Sequence, residues 1–320
     1  MKVLVPRGLP GDFASTVNDK FVRYDPAELL PDALCDAEVF VAFGNSPEQL
    51  RDSAARLRGL CWVQGLSAGS DAVLAAGFAD DVIITSGRTL HSATVAEHTL
   101  ALILAALRRL HVLAQLQREH EWSLAIGAAQ SEGPDDPLIT LLGARVTIWG
   151  FGSIAETLAP LLTSLGADVV GVAHSAGERA RFPVITSETI DARLAETDIL
   201  VLILPGTPEN ERIVDAHYLA MLPKRAWLVN VGRGSTLDED ALLNAVRAGD
   251  IAGAALDVFQ REPLPIKSGL WDEPNVIITP HSAGGRPRGA AELIARNLSA
   301  FHAGAQLENV VRQPASPTQS

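Results

Sequence analysis

The sequence predicts an α/β protein with two parallel sheets, on two observations. Short apolar runs alternate with helical patterns along most of the 320 residues, and a glycine-rich turn at residues 150–155 joins one such run to a helical pattern. Apolar runs of this kind are typical of parallel strands that helices cover on both faces. We therefore expect a doubly wound domain preceded by a smaller α/β domain.

The first part of the chain predicts the smaller domain and a helix after it. Strands are predicted in "KVLV", "EVFVAFG", "LCWVQGLSAG" and "DVIITSG", with helical or turn segments between them. From Thr94 to His120 there is neither Gly nor Pro, and apolar residues recur at helical spacing. Thr94 and Glu97 stand in capping-box positions. One long helix is predicted from Thr94, with a domain boundary at its start.

A second alternation follows the polar loop "AAQSEGPDDPL". Its predicted strands are "RVTIWG", "DVVGVA", a short "FPVI", "DILVLILPG", "AWLVNVG", "IAGAALDVF" and "NVIITPH". Helical patterns separate most of these runs, which predicts the doubly wound domain. Pro160 lies inside the first of these helices and predicts a kink there. A last amphipathic helix in "GGRPRGAAELIARNLSAFHAG" and a polar, frayed tail "RQPASPTQS" are expected.

Composition excludes several functional classes. With 47% apolar and 20% charged residues the chain has the composition of a globular protein, and a net charge of -12 without a basic stripe argues against binding nucleic acid or an anionic membrane. Cys35 and Cys61 are too few for a disulfide scaffold and favour a cytoplasmic location. We predict no signal peptide, no transmembrane segment and no metal site, since the eight histidines have no ligand spacing.

The glycine-rich turn predicts a dinucleotide site. Gly150, Gly152 and Ala155 have the G-x-G-x-x-A spacing at a strand-to-helix junction. The first glycine permits a tight turn, the second lets a pyrophosphate approach the backbone, and the helix start donates N–H groups. The alternative is a glycine-rich turn that binds no ligand.

The next strand, in "GADVVGVAHSAGERAR", ends without the carboxylate that would accept the 2'-hydroxyl of an NAD ribose. The strand end falls at Ala173, while Asp168 comes too early and Glu178 lies beyond a flexible "SAG". Residues that could donate to a 2'-phosphate stand there instead: His174, Ser175, Arg179 and Arg181. This pattern favours NADP over NAD, the alternative being that these are solvated loop residues.

Three later strand ends carry charged residues. Arg233 follows a strand that ends at Val231, and we expect its two flanking glycines to take positive φ and expose it. Its guanidinium could hold a carboxylate bidentately, although a lone arginine there is more often a surface ion pair. Glu262 follows a further strand end at Asp257, and His281 comes just past the last strand.

Because parallel strands end at one edge of a sheet, Arg233, Glu262 and His281 can converge on one crevice. A histidine beside a carboxylate is the usual composition of a general acid, since the carboxylate orients the imidazole and favours its protonated form. His281 alone would more often be a hydrogen-bonded strand-end histidine.

With these motifs the sequence resembles the D-isomer-specific 2-hydroxyacid dehydrogenases, in particular the glyoxylate/hydroxypyruvate reductase-like branch. The matching segments are "SAG" at 67–69, "TVAEHTLALILAALRRL", "GFGSIA", "LPGTPEN", "NVGRGSTLDEDAL", "ALDVFQREPLP" and "LWDEPNVIITPHSAG". The resemblance implies a flavodoxin-like substrate-binding domain, residues 1–94 and 286–320, and a dinucleotide-binding Rossmann domain, residues 95–285. It also implies a homodimer, with the helix from Thr94 as the candidate interface.

The resemblance further implies roles for individual residues. Arg233 would bind the substrate's carboxylate and carbonyl, and His281, with Glu262 as partner, would protonate the carbonyl oxygen. Backbone N–H groups of the small domain and an arginine after the catalytic histidine would add substrate contacts: Ser67, Ala68, Gly69 and Arg286.

In the cofactor site, the resemblance assigns the nicotinamide carboxamide to Asp257, the inner ribose to Thr207 and the pyrophosphate to Ser153 and Ile154. The predicted cofactor-binding residues are Gly150, Gly152, Ser153, Ile154, His174, Ser175, Arg179, Pro205, Thr207, Val231, Asp257, His281, Ala283 and Gly284. The implied activity is an NAD(P)-dependent oxidoreductase acting on a small 2-keto acid or D-2-hydroxy acid. A dinucleotide-sensing, corepressor-like protein and a formate- or phosphite-type dehydrogenase on the same scaffold stay open as alternatives.

Overall fold

The computed structural model describes residues 1–11, 13, 18–128 and 136–314, and the chain divides into two compact units. The first unit is Met1–His91 with Arg286–Ser320, and the second is Ser92–Gly285. The division after His91 lies three residues before the predicted limit at residue 94. Parts of the predicted polar loop, at 129–135, and of the predicted tail, at 315–320, lie outside the described residues.

A six-stranded sheet forms the centre of the first unit. Its strands are β1 (Lys2–Pro6), β2 (Lys20–Tyr24), β3 (Val39–Ala42), β4 (Trp62–Gly65) and β5 (Ile83–Thr85), and β14 (Val310–Arg312) pairs antiparallel with β5. The order is β14-β5-β4-β3-β1-β2, so the parallel part has the flavodoxin-like order 2-1-3-4-5. The helices are α1 (Pro47–Arg56), α2 (Asp71–Leu74) and α10 (Ala290–His302). The sequence pattern missed β2 and β14, both edge strands with few buried residues.

The second unit has an eight-stranded sheet. Its strands are β6 (Arg145–Trp149), β7 (Asp168–Val172), β8 (Gly177–Arg179), β9 (Phe182–Ile185), β10 (Ile199–Leu202), β11 (Trp227–Asn230), β12 (Gly253–Leu256) and β13 (Val276–Ile278). The order is β13-β12-β11-β10-β6-β7-β9-β8, with β8 antiparallel to β9 and the other strands parallel. Because the order reverses beside β6, the sheet is doubly wound, and the predicted α/β fold class is confirmed.

Seven helices of the second unit are described, and two apolar layers cover the sheet. The helices are α3 (Ser92–Leu107), α4 (Leu110–Glu119), α5 (Leu124–Gly127), α6 (Ser153–Ser164), α7 (Asp191–Leu194), α8 (Ala216–Met221) and α9 (Glu239–Ala248). One layer includes Leu102 on α3 and Leu158 on α6, and the other includes Leu219 on α8 and Leu242 on α9. Pro160 does not end α6. It lies on the exposed face, where water can donate to the carbonyl of the preceding turn that lacks the proline's N–H group as a partner.

The prediction of one long helix from Thr94 to His120 is wrong. The chain breaks between α3 and α4, where Arg109 has φ of +51°, and the two helices meet at 62°. α3 begins two residues early, at Ser92, and the Thr94 hydroxyl donates to the Gly284 carbonyl (2.7 Å) instead of capping the helix. Apolar periodicity continues across the break, so the pattern cannot reveal it. In the described part of the chain no single helix is long and apolar enough to cross a membrane, although this bent pair would qualify if counted together.

Candidate active site

The glycine-rich turn between β6 and α6 has the geometry of a phosphate site. Gly150 has φ of +104°, and a Cβ there would lie 2.4 Å from the Ile203 carbonyl oxygen, so only glycine fits. Gly152 is the N-cap of α6 and no side chain caps the helix, while the space beside its Cα is open to 4 Å. Ser153, the first residue of α6, bonds through its hydroxyl to that of Ser92 (3.2 Å). Uncapped N–H groups beside open space fit a bound pyrophosphate.

Beyond β7 the chain forms a hairpin of β8, which the sequence did not predict, and β9, which is the predicted "FPVI" strand. Arg179 on β8 donates to the Phe151 carbonyl oxygen (3.0 Å), inside the glycine-rich turn, and to the Ser175 hydroxyl (2.8 Å). The structure therefore brings Arg179 and Ser175 together beside the turn. His174 precedes them in an exposed position, and Arg181 lies in the exposed turn of the hairpin.

On the other side of β6, Pro205 and Thr207 follow β10. The Pro205 carbonyl accepts a hydrogen bond from the Asn210 side chain (3.0 Å), which holds this loop in a single 3-10 turn. Hydrogen bonds from the Glu209 amide and the Thr207 hydroxyl lower the pKa of the Glu209 carboxyl, and the charge of His174 acts in the same direction. An acidic residue that the sequence analysis did not consider thus lies within electrostatic range of His174.

Arg233 is held by the chain around it, but the expected reason for its flanking glycines is wrong. Neither glycine has a positive φ. They are required by close approach, because a Cβ at Gly234 would lie 1.8 Å from the Phe259 carbonyl carbon, and one at Gly232 would lie 2.7 Å from the Leu204 nitrogen. The Arg233 guanidinium donates to the Gly232 carbonyl (2.7 Å).

Asn230, at the end of β11, fixes the arginine loop and was missed by the sequence analysis. Its buried side chain accepts from the Gly232 amide (3.0 Å) and donates to the Arg233 carbonyl (3.1 Å). The sequence feature that could have indicated Asn230 is a polar residue at the end of an otherwise apolar strand.

Glu262 and His281 form the predicted pair. His281 Nδ1 lies 2.7 Å from Glu262 Oε2, and Glu262 Oε1 accepts the Phe259 amide (3.0 Å). With the carboxylate ionised, Nδ1 carries the hydrogen, which leaves Nε2 to hold or release a proton. The His281 side chain is 48% exposed. This arrangement can act as a general acid and base.

Asp257 is buried and accepts several hydrogen bonds. Its Oδ1 accepts from the Thr279 hydroxyl (2.6 Å) and the Ser282 amide (2.9 Å), and its Oδ2 from the Ala283 amide (3.0 Å). A further donor, such as a carboxamide, would therefore have to use Oδ2. His98 donates through Nε2 to the Thr279 hydroxyl (3.1 Å) and lies 3.4 Å from Asp257 Oδ1. His98 was not predicted from the sequence, where a histidine within an otherwise apolar helix is the feature that could have indicated it.

Of the remaining predicted cofactor residues, Ile154 lies in the first turn of α6, Val231 packs in the core after β11, and Ala283 and Gly284 follow His281. No group of three or more His, Cys, Asp or Glu side chains placed to hold a metal ion occurs in the residues for which a structure is described.

The predicted substrate residues Ser67, Ala68, Gly69 and Arg286 belong to the first unit. Two contacts hold the loop after β4. The Ser67 carbonyl accepts a hydrogen bond from the Gly87 amide (2.8 Å), and the Leu66 carbonyl lies 2.8 Å from His91 Nε2. Ser67 and Ala68 are exposed. Two exposed residues thus lie in a loop that hydrogen bonds hold in place.

Comparisons with known proteins show the family of this chain. The family model for the NAD binding domain of the D-isomer specific 2-hydroxyacid dehydrogenases matches residues 100–283. Glyoxylate/hydroxypyruvate reductase B of Serratia proteamaculans is 32% identical, with 97% of each chain covered.

Two solved structures are also similar. A D-isomer specific 2-hydroxyacid dehydrogenase from Xanthobacter autotrophicus, in complex with NADPH and MES, is 31% identical, with a TM-score of 0.75 and coverage of 92% of this chain and 89% of that one. An NADPH-dependent glyoxylate/hydroxypyruvate reductase from Sinorhizobium meliloti, in complex with NADP and sulfate, is 26% identical, with a TM-score of 0.77 and 97% of each chain covered. The resemblance is confirmed, and the chain belongs to the D-isomer specific 2-hydroxyacid dehydrogenases, a family of nicotinamide-dependent oxidoreductases.

Proposed function

We propose that this protein reduces a small 2-keto acid of the glyoxylate or hydroxypyruvate type to the D-2-hydroxy acid, reversibly, with a nicotinamide cofactor. The observation that carries the proposal is the Glu262–His281 pair, which holds one ring nitrogen and leaves the other for proton transfer. The relative in Serratia proteamaculans and the one in Sinorhizobium meliloti are named for these substrates, which supports the choice of keto acid.

The residues divide the chemistry between them. When bound, the nicotinamide supplies a hydride to the carbonyl carbon. Arg233 would hold the substrate carboxylate, and His281 Nε2 would give its proton to the carbonyl oxygen as the C=O π electrons move onto that oxygen. Glu262 would keep the imidazole oriented throughout. Residues 67–69 and Arg286, which belong to the first unit, stay predicted substrate contacts.

A substrate panel tests the proposal. Purified protein with NADPH or NADH should consume cofactor with glyoxylate or hydroxypyruvate, and less with pyruvate. Oxidation of formate or phosphite without keto acid reduction would favour the alternative dehydrogenase. Dinucleotide binding without turnover of any substrate would favour the sensing protein, for which neither relative's name gives support.

NADPH is proposed as the preferred cofactor. The support is that Arg179 and Ser175 lie side by side next to the glycine-rich turn, and that the guanidinium has five N–H donors, so it can bind a further oxygen acceptor. We expect the kcat/KM for NADPH to exceed that for NADH, and R179Q to reduce that ratio by about tenfold. A wild-type ratio below one would remove this part of the proposal only.

A homodimer and a cytoplasmic location are also proposed. α4 contains no buried residue, and apolar side chains on it and just after it are exposed, including Leu110, Leu113 and, at 89%, Trp122. Exposed apolar side chains that follow one another so closely along the chain favour an interface with a second copy. Analytical ultracentrifugation should give twice the chain mass, and L110E/L113E should give the monomer.

The two cysteines are free, as expected in a reducing compartment.

A further inference from the structure

The segment "LDEDAL" follows the Arg233 loop, and none of its residues has a role in the proposed mechanism. Glu239, the first residue of α9, is about half buried, and its Oε1 accepts the Gln260 amide (2.5 Å). The Gln260 side chain in turn donates to the Leu237 carbonyl (2.6 Å). Two hydrogen bonds therefore tie Gln260 to the start of α9.

Gln260 lies in the short loop after β12 that carries Glu262, the carboxylate of the acid–base pair. In this loop the Phe259 amide donates to Glu262 Oε1, and Glu262 Oε2 bonds to His281. The loop also packs against the arginine loop, since Gly234 leaves no room for a Cβ beside Phe259. Fixing Gln260 therefore fixes the backbone that aims the Glu262 carboxylate.

The position of Glu239 is an unfavourable one for a charge. Burial raises the pKa of its carboxyl, the bond from the Gln260 amide opposes that rise, and the charges of Asp240, Asp238 and Glu262 add to it. A folded-state pKa above the usual value means that stability is lost as pH rises through that pKa. At neutral pH the ionised Glu239 carboxylate thus lowers the stability of the folded protein. A residue that costs stability is more typical of a functional position than of a stabilising one.

We propose that Glu239 is a positioning residue for the reaction, which clamps the Phe259–Glu262 loop through the Gln260 amide and so aligns Glu262 and His281. This rests on the proposed function. Glu239 also adds a negative charge behind Glu262, which favours the positively charged imidazolium form of the pair.

The test compares E239A, E239Q and the control D240N, which removes an exposed charge from the same helical turn. E239A should lower kcat about tenfold with the keto acid KM changed less than about twofold, because a displaced acid loses rate and not ground-state binding. E239Q keeps an acceptor for Gln260, so kcat should stay within about twofold of wild type. In E239Q the alkaline limb of the kcat/KM profile should move to lower pH by about 0.3 unit, because the negative charge that favours the imidazolium is lost. D240N should change the rates less than about twofold.

Amide hydrogen exchange gives a readout that does not need turnover. Exchange of the Phe259–Glu262 segment should speed up at least about tenfold in E239A and not in E239Q or D240N. At pH 7 the Tm of E239Q should equal or exceed that of wild type, and the difference should vanish below about pH 4.5. A lower Tm for E239Q with an unshifted pH profile would assign Glu239 a structural role and overturn the proposal.

The remaining outcomes distinguish a failure of the Glu239 positioning role from a failure of the proposed reductase function. Faster exchange in E239A with unchanged kcat would overturn the positioning role, and unchanged exchange would overturn the clamp. If E239A does not fold, Q260A removes the side-chain bond to Leu237 and should lower kcat in the same direction. Wild-type protein without keto acid turnover would remove the proposed function and the catalytic role together, while the exchange result alone would decide the clamp.

Discussion

Among the described residues of the second unit there are two histidine–carboxylate pairs, and their surroundings differ. In the exposed pair, His281 and Glu262 are 48% and 36% exposed, and one ring nitrogen is left for chemistry. In the buried pair, His98 with Asp257, the carboxylate is 1% exposed and accepts bonds from three further residues. Under the proposed function, the same two side-chain types would serve a reacting site in one place and a scaffold in the other. Burial and the number of partners decide which.

The exposed pair should carry the largest effect. H281A removes the proton donor, so kcat for keto acid reduction should fall by about 10²- to 10⁴-fold, with nicotinamide affinity nearly unchanged. Steady-state kinetics and dinucleotide titration measure both. A wild-type kcat in H281A would contradict the proposed difference between the two pairs, because the exposed pair would then not be catalytic.

Arg233 belongs to neither pair, and its variants would separate the proposed recognition of the carboxylate from proton transfer. R233A loses a bidentate, charge-assisted contact, so the keto acid KM should rise about 100-fold, while R233K should recover part of that loss. The check is a comparison of KM and kcat for glyoxylate across the two variants. Equal KM values in R233A and wild type would contradict carboxylate binding by this side chain.

The buried pair should affect stability. In D257N an amide NH₂ group would face either the Ala283 amide or the donors at Oδ1, so one or more buried donors lose their acceptor, a loss of about 2–3 kcal/mol. For a chain of 320 residues that lowers Tm by roughly 3–5 °C, which calorimetry detects. D215N is the matched control, since Asp215 is an exposed N-cap of α8 and Asn caps equally well. A D257N protein that melts with wild type would show that the buried carboxylate is not a scaffold.

His98 should give the smallest effect. H98F removes one hydrogen bond to Thr279, which is worth about 1 kcal/mol, while kcat should stay within about twofold. H98Q, which can still donate, should lose less. A large fall in kcat at an unchanged Tm would instead assign His98 to the chemistry and make the two pairs alike.

Local patterns were sufficient for much of the site. The sequence placed Arg233, Glu262 and His281 just beyond separate strands, because each strand is a short apolar run with a clear end. It also located the glycine-rich turn, since only glycine allows the conformation of Gly150. The helix break at Arg109 was not predictable in this way, because apolar spacing continues through it.

The amino-acid sequence by itself determined the α/β class, most of the strands along the chain and the edge of the sheet where the charged residues collect, since hydrophobic periodicity and glycine positions are properties of neighbouring residues. Only the tertiary structure decided that Asn230 holds the arginine loop, that His98 reaches Asp257 and that Glu239 reaches Gln260. The last two are contacts between residues 159 and 21 positions apart. Packing of separate elements creates them, and no local pattern records it.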